Sequence, residues 1–449
     1  MNFKVSPIAF LVFGMSLPLQ GAAQERIPYD QYQLQNGLTV ILIEQHTVPI
    51  ATVDIWYDVG SANERPGRSG FAHLFEHMMF QGSANVGKAE HMQFVERAGG
   101  SMNGTTNDDR TAYFETVPAN RLNLALWLEA DRMRSLAVTE ENLANQTNAV
   151  QEERRMRIDN QPYAPAFVEG LTQMYDSVGC FAYAHSVIGS MEDLEAADTT
   201  DVQEFFKTYY APNNATLTVV GDFDADYVKG LIEDYFGDIP AAAPPPEVSC
   251  EWSLGTEPEV LEWLDPHANL PLTLTAYRIG AHKEADTRPL QLLSNILGAG
   301  ESSRLNQGMV RETQAALQAG TQFDSRRHAG MFAVFAVANQ GVTGQELQDQ
   351  LAQTVGRILE EGVTEEELTK AKNSFRSSDI FGRMTTMNIA ESAQHYAHFH
   401  DSIEDMYMDL DLYMEVTADD IRRVARLYLT PENSFTILVL PEGMDSPVP

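Results

Sequence analysis

The chain has 449 residues, 43% hydrophobic and 21% charged, which excludes a disordered chain and exceeds one ordinary core. Its formal net charge of −34 excludes nucleic acid as a favoured partner, because phosphate backbones are held by Lys and Arg. The acidity either confers solubility alone or, where it lines a binding chamber, draws in basic ligands.

Residues 1–23 have the form of a secretory signal peptide. Lys4 precedes a short apolar stretch over residues 8–19, and the small residues Gly21, Ala22 and Ala23 stand before Gln24. That stretch is too short to span a bilayer comfortably, and no later segment reaches about 18 uninterrupted apolar residues. The expectation is a periplasmic protein without stable membrane insertion, with secretion as second choice. Only Cys180 and Cys250 are present. They can pair in an oxidising compartment, but are too few for a disulfide scaffold or a thiolate zinc site.

The patterning predicts strands over residues 32–43 and 50–59, then helices over 70–80 and 90–98. Residues 101–117 read as strands around the Asn107-Asp108-Asp109 turn, and 120–136 and 140–158 as long helices. Ala241 to Pro246 open a stiff linker, taken as residues 241–254. Beyond it come strands at 260–263 and 270–279, a helix at 287–297, a hairpin from 315–324 and 331–337, and long helices between 344 and 426.

The two halves look related. The helix–Pro turn–strand segment around Pro212 recurs around Pro431, 219 positions later, and the same offset aligns Asp201-Val202 with Asp420-Ile421. The expected fold is α+β, built from two duplicated domains over residues 24–240 and 255–449. Each is a mixed β-sheet with helices packed mainly on one face.

The chemistry centres on His73-Leu74-Phe75-Glu76-His77. Four residues turn a helix by about 400°, so both imidazoles leave one face and can meet one ion. Two His plus a carboxylate suit Zn2+ and leave a position for water, and a nearby Glu can accept that water's proton. Glu76 lies beside the pair without needing to bind the ion. Glu153, 76 positions after His77, stands on a long predicted helix that can present a carboxylate. Spacing alone does not separate that reading from a solvated acidic position like Glu152.

The run Ser69-Gly70-Phe71-Ala72-His73-Leu74-Phe75-Glu76-His77-Met78-Met79-Phe80-Gln81-Gly82-Ser83 resembles the signature of the pitrilysin, insulysin and mitochondrial processing peptidase family. The resemblance extends over the whole mature chain. It implies one zinc held by His73, His77 and Glu153, with Glu76 as the general base. It also implies that Asn103, Gly104 and Thr105 bind an extended peptide by edge pairing. Members of that family fold as duplicated α+β domains, usually paired around an acidic chamber, and cleave unfolded peptides.

The chain also departs from that family. The 219 offset places Leu292, Ile296 and Lys372 opposite the three ligands, so the second half has no such metal site. The family's C-terminal half carries an Arg and a Tyr six or seven residues apart, which hold the substrate and the oxyanion. Here Arg311 is present, but Leu317 or Gln318 stands where the Tyr is expected. That points to a heterodimer in which a related subunit supplies the pair; the other readings are a homodimer and a different residue in its place.

His395, His398 and His400 cluster near a helix end, a pattern that fits packing more often than metal binding, and residues 384–387 read as core or a flexible contact. The leading expectation is a zinc metalloendopeptidase. The alternatives are a non-catalytic scaffold or binding subunit of the same fold, and a zinc hydrolase with a non-peptide substrate.

Overall fold

The computed structural model describes residues 26–400 and 402–443, so the expected signal peptide lies outside the described residues. The first half runs β1 (Asp30–Gln33), β2 (Thr39–Glu44), β3 (Ile50–Tyr57), α1 (Phe71–Met78), α2 (Glu90–Arg97), β4 (Ser101–Thr106), β5 (Thr111–Pro118), α3 (Leu122–Ser135), α4 (Glu140–Arg154), α5 (Met191–Glu195), α6 (Thr199–Tyr209), β6 (Ala215–Gly221) and α7 (Ala225–Phe236). Its six strands lie in the order β1-β2-β6-β3-β5-β4. The β2–β6 pair is parallel and the other pairs are antiparallel.

The second half runs β7 (Glu259–Asp265), β8 (Leu272–Ile279), α8 (Thr287–Gly298), β9 (Ala316–Asp324), β10 (Gly330–Ala338), α9 (Gly344–Glu361), α10 (Glu365–Phe381), α11 (Thr386–Phe399), α12 (Asp405–Glu415), α13 (Ala418–Tyr428) and β11 (Ser434–Pro441). Its sheet order, β7-β11-β8-β10-β9, repeats the first without the β1 edge, again with one parallel pair, β7–β11. The internal repeat is exact at its clearest point: α6 and α13 begin at Thr199 and Ala418 and end at Tyr209 and Tyr428, each 219 apart.

Strand β2 reads Val40-Ile41-Leu42-Ile43 without polar interruption, as a strand covered on both faces should. Val40 and Leu42 enter the core beneath the first half's own helices. Ile41 and Ile43 face the other way and pack with Val220 against Ile389, Ala390 and Ala393 of α11, a helix of the second half. Gln394 on the same helix is fully buried, and its Nε2 donates to the carbonyls of Asp54 (2.9 Å) and Thr216 (2.8 Å).

The first half reciprocates. Its irregular segment over residues 163–184 covers the second sheet, where Ala166, Leu171, Met174 and Tyr183 pack with Leu274, Met331 and Ile437. Each sheet therefore carries its own helices on one face and a segment lent by the other half on the second. This exchange holds the halves together through apolar burial on two separate sheets.

Cys180 and Cys250 form a disulfide, which joins that lent segment to the chain leading into β7 across 70 residues of sequence. A closed loop of that length removes denatured-state entropy worth about 4 kcal/mol. Replacing both cysteines (Cys180→Ala with Cys250→Ala) is expected to lower the thermal midpoint and the unfolding free energy by an amount of that order. Parallel urea and thermal denaturation of the two proteins checks it, and superimposable curves would refute it.

Candidate metal centre

Helix α1 forms because Phe71, Ala72, Leu74, Phe75 and Met78 make one buried stripe, which leaves His73, Glu76 and His77 on the other side. Gly70 precedes it in a left-handed conformation (φ +84°) and offers no side-chain cap. A Cβ there would lie 2.6 Å from the Ile188 carbonyl oxygen and 2.9 Å from Gly189, so the close approach of two loops requires glycine.

The missing cap comes from Glu64. Its carboxylate accepts from the backbone amides of Gly70 (2.8 Å) and Ala72 (2.7 Å), and His185 Nε2 lies 3.0 Å from it. A buried anion at a helix N-terminus meets both the unpaired amides and the positive end of the dipole. Burial raises the Glu64 pKa, while His185 and the two amides act against that rise. Glu64 and His185 therefore fix the start of the helix that carries the histidines.

Glu153 stands in the last turn of α4, whose N-terminus is capped by Thr139. One carboxylate oxygen lies 3.3 Å from His77 Nε2 and 3.8 Å from His73 Nε2. The other lies 2.6 Å from Arg157. Next to it, Arg154 binds the Gly189 carbonyl and Glu169, which ties the end of α4 to the loop beside Gly70.

The three candidate donor atoms all lie within 4.8 Å of one another. A tetrahedral zinc with bonds of about 2.0–2.2 Å needs donors about 3.3–3.5 Å apart, so this set fits the ion with little adjustment. Burial, and then the neighbouring His77, lowers the His73 pKa to about 4, which keeps that imidazole neutral as a ligand must be. His73 Nδ1 is buried without a hydrogen-bond partner among the described residues.

Glu76 leaves the same helix but joins neither histidine. The hydroxyl of Thr106, on β4, donates to its carboxylate at 2.6 Å. Burial raises the Glu76 pKa, and the Thr106 hydrogen bond opposes that rise. Gly104 lets β4 lie this close: a Cβ there would stand 3.2 Å from Glu76, Phe80 and Tyr113.

Asn103, Gly104 and Thr105 all lie on β4, which pairs with β5 and, among the described residues, ends the first sheet beside α1. The Thr105 carbonyl accepts from Arg110 at 2.8 Å. Arg311 is not brought to the histidines. It sits in the π-helical segment Asn306–Glu312, half exposed, and pairs with Glu301 of its own half. Leu317 is 55% exposed on the edge strand β9, and Gln318 beside it is exposed.

In the second half, Leu292 and Ile296 are packed into an apolar core and Lys372 donates to the Met414 carbonyl at 2.7 Å. His398 pairs with Arg327 and Asp58, whereas His395 and His400 meet His282. Glu64 and His185 were not singled out by their sequence context, and Thr106 was legible only as part of the β4 strand. Each is a common residue whose meaning comes from the element packed against it.

A duplicated α+β molecule with a candidate His2Glu donor set in its first half is the class that this geometry defines. Residues 39–172 match the model described as insulinase (peptidase family M16), and residues 196–375 match that of the peptidase M16 inactive domain. The chain belongs to peptidase family M16. The zinc protease PqqE of Helicobacter pylori is 28% identical over 443 residues, covering 97% of this chain and 98% of that protein. The crystal structure of a protease from Helicobacter pylori superposes with a TM-score of 0.88 at 27% identity, covering 93% of this chain and all of the other. The periplasmic protease PqqL of Escherichia coli shares the fold at 16% identity and a TM-score of 0.75, covering 92% of this chain but only 47% of that one.

Proposed function

We propose that this protein is a zinc-dependent endopeptidase acting on unfolded peptides. The observation that carries the reading is the arrival of Glu153, from a separate helix, at the two α1 histidines, with Glu76 beside them and outside the donor set. His73, His77 and Glu153 hold the zinc. A zinc ion there would supply Lewis acidity to the attacking water and the scissile carbonyl.

Glu76, as carboxylate, accepts the proton of the attacking water and returns it to the leaving amine nitrogen as the peptide C–N bond breaks. Thr106 orients that carboxylate. The edge of β4, with Asn103, Gly104 and Thr105, takes the substrate as an added strand, so backbone conformation outweighs side-chain sequence. The acidic chain favours basic peptides. The test is digestion of a peptide library with and without a chelator, with zinc restored afterwards; cleavage indifferent to the chelator overturns the reading.

The acid limb of kcat/KM follows Glu76 in the free enzyme, because only its ionised form accepts a proton. The Thr106 hydrogen bond favours that ionised form, so Thr106→Val raises the Glu76 pKa further and moves the limb to higher pH. Overlapping pH profiles of the two proteins would refute this orienting role.

Export belongs to the same reading and rests on residues 1–23 and on the Cys180–Cys250 disulfide, which persists in an oxidising compartment. So does a related partner subunit carrying the Arg–Tyr pair. A second reading, a non-catalytic subunit, is favoured by the second half's match to the inactive-domain model.

A further inference from the structure

A second set of histidines converges elsewhere in the fold. His282 lies in the turn between β8 and α8, His395 in the last turns of α11, and His400 at its C-terminal cap. Their ring centroids are 5.0–5.8 Å apart, and one nitrogen from each lies within 4.8 Å of the others. His282 Nε2 and His400 Nε2 face each other at 3.0 Å.

The outer nitrogens of that pair are anchored. His282 Nδ1 is 2.8 Å from Ser325 Oγ, and His400 Nδ1 is 3.5 Å from an Asp405 carboxylate oxygen. Outer-nitrogen anchoring of this kind orients imidazoles that bind metals, and it aims both Nε2 atoms inward. A hydrogen bond between two rings accounts for one pair but not for the third ring, His395, which reaches both of them while packing on Phe399.

We propose that His282, His395 and His400 form a second metal site, for a divalent first-row transition ion of the zinc, nickel or copper class. Imidazole ligands suit these ions, and three of them leave a position for water. The site opens onto a cavity of about 630 Å³ shared with Asp405, Asp409 and Tyr413. Asp405 and Asp409 supply negative charge, and the Arg288 guanidinium is engaged by Asp409 at 2.6 Å. Burial lowers the pKa of all three imidazoles, His282 to about 3 and His395 to about 4.

The buried group His91, Glu115 and Glu129 is different, because the Arg132 guanidinium already pairs with Glu129 there. The role follows from where the ligands sit. Helix α11 covers the first half's sheet, while His282 belongs to the turn that follows β8 of the second. An ion shared by them ties the end of the crossing helix to the second sheet.

The decisive protein is the full chain carrying His73→Gln and His77→Gln, which disables the first centre alone. It is expected to bind one zinc per chain by elemental analysis after dialysis. Saturating zinc should raise its Tm by about 5 °C, the scale that mass action gives for a ligand well above its Kd. Adding His282→Gln or His400→Gln should abolish both effects. No retained zinc and no Tm rise in the double variant overturn the proposal, as does retention after both further substitutions. Should those variants fail to fold, Co2+ absorption in the His73→Gln/His77→Gln protein decides: visible bands of a nitrogen-rich tetrahedral centre support the site and their absence refutes it. Wild-type chain that binds one ion, lost on His282→Gln but kept on His77→Gln, would instead refute the His73–His77–Glu153 centre.

Discussion

Glu76→Gln is expected to leave the zinc content unchanged and to lower kcat by about a hundredfold to ten-thousandfold, the range that a positioned general base contributes. The substitution is close to isosteric. The amide oxygen still accepts the Thr106 hydroxyl, so the side chain keeps its place against Gly104 and β4. What is lost is a group able to take a proton. Glu153 cannot replace it, because that carboxylate is committed between the two histidines and Arg157.

The measurement pairs elemental analysis with peptide hydrolysis. Undiminished hydrolysis by a zinc-loaded Glu76→Gln protein would remove Glu76 from the mechanism. His77→Ala provides the contrast, since it is expected to lose the ion and the activity together. A wild-type chain that binds zinc and peptide but cleaves nothing would favour the binding-subunit reading over the enzyme.

Much of this was legible in the sequence. The period of α1, the β4–β5 hairpin around Asn107 and the long helix bearing Glu153 all carry local patterns that survive folding. The repeat was legible because helix α6, its Pro turn and β6 kept their spacing in the second copy. The exchange of covering segments was not. The unbroken apolar run of β2 shows that both faces are buried, but nothing in it says that α11, some 350 positions away, supplies the second cover. Residues 163–184 have no helix or strand period, so their place over the second sheet is purely tertiary.

The same limit hid the supporting residues. Glu64 reads as a lone acid until Gly70 turns its amide toward it. The C-terminal histidine cluster was visible as His395, His398 and His400, yet the fold replaces His398 with His282, from a turn more than a hundred residues earlier. Helical spacing identified which residues share a face, but not which distant loop meets that face.

Mixing this chain with a related subunit that carries Arg and Tyr at the family's spacing is expected to raise kcat/KM by about a hundredfold, the contribution of one oxyanion donor. Arg311 is turned to Glu301, and the positions where a phenol is expected hold exposed Leu317 and Gln318 at the start of β9. Neither side chain is the phenol donor that the family's Tyr supplies at this spacing. Two halves in separate chains would require association before a complete site exists. Activity should then rise with partner concentration and saturate at one partner per chain, with the complex visible by light scattering. A partner Tyr→Phe variant should bind equally well and lose most of the gain, which separates oxyanion donation from simple stabilisation. Full activity of the lone chain, as monomer or homodimer, would sink the division of labour and place the missing donor within this chain.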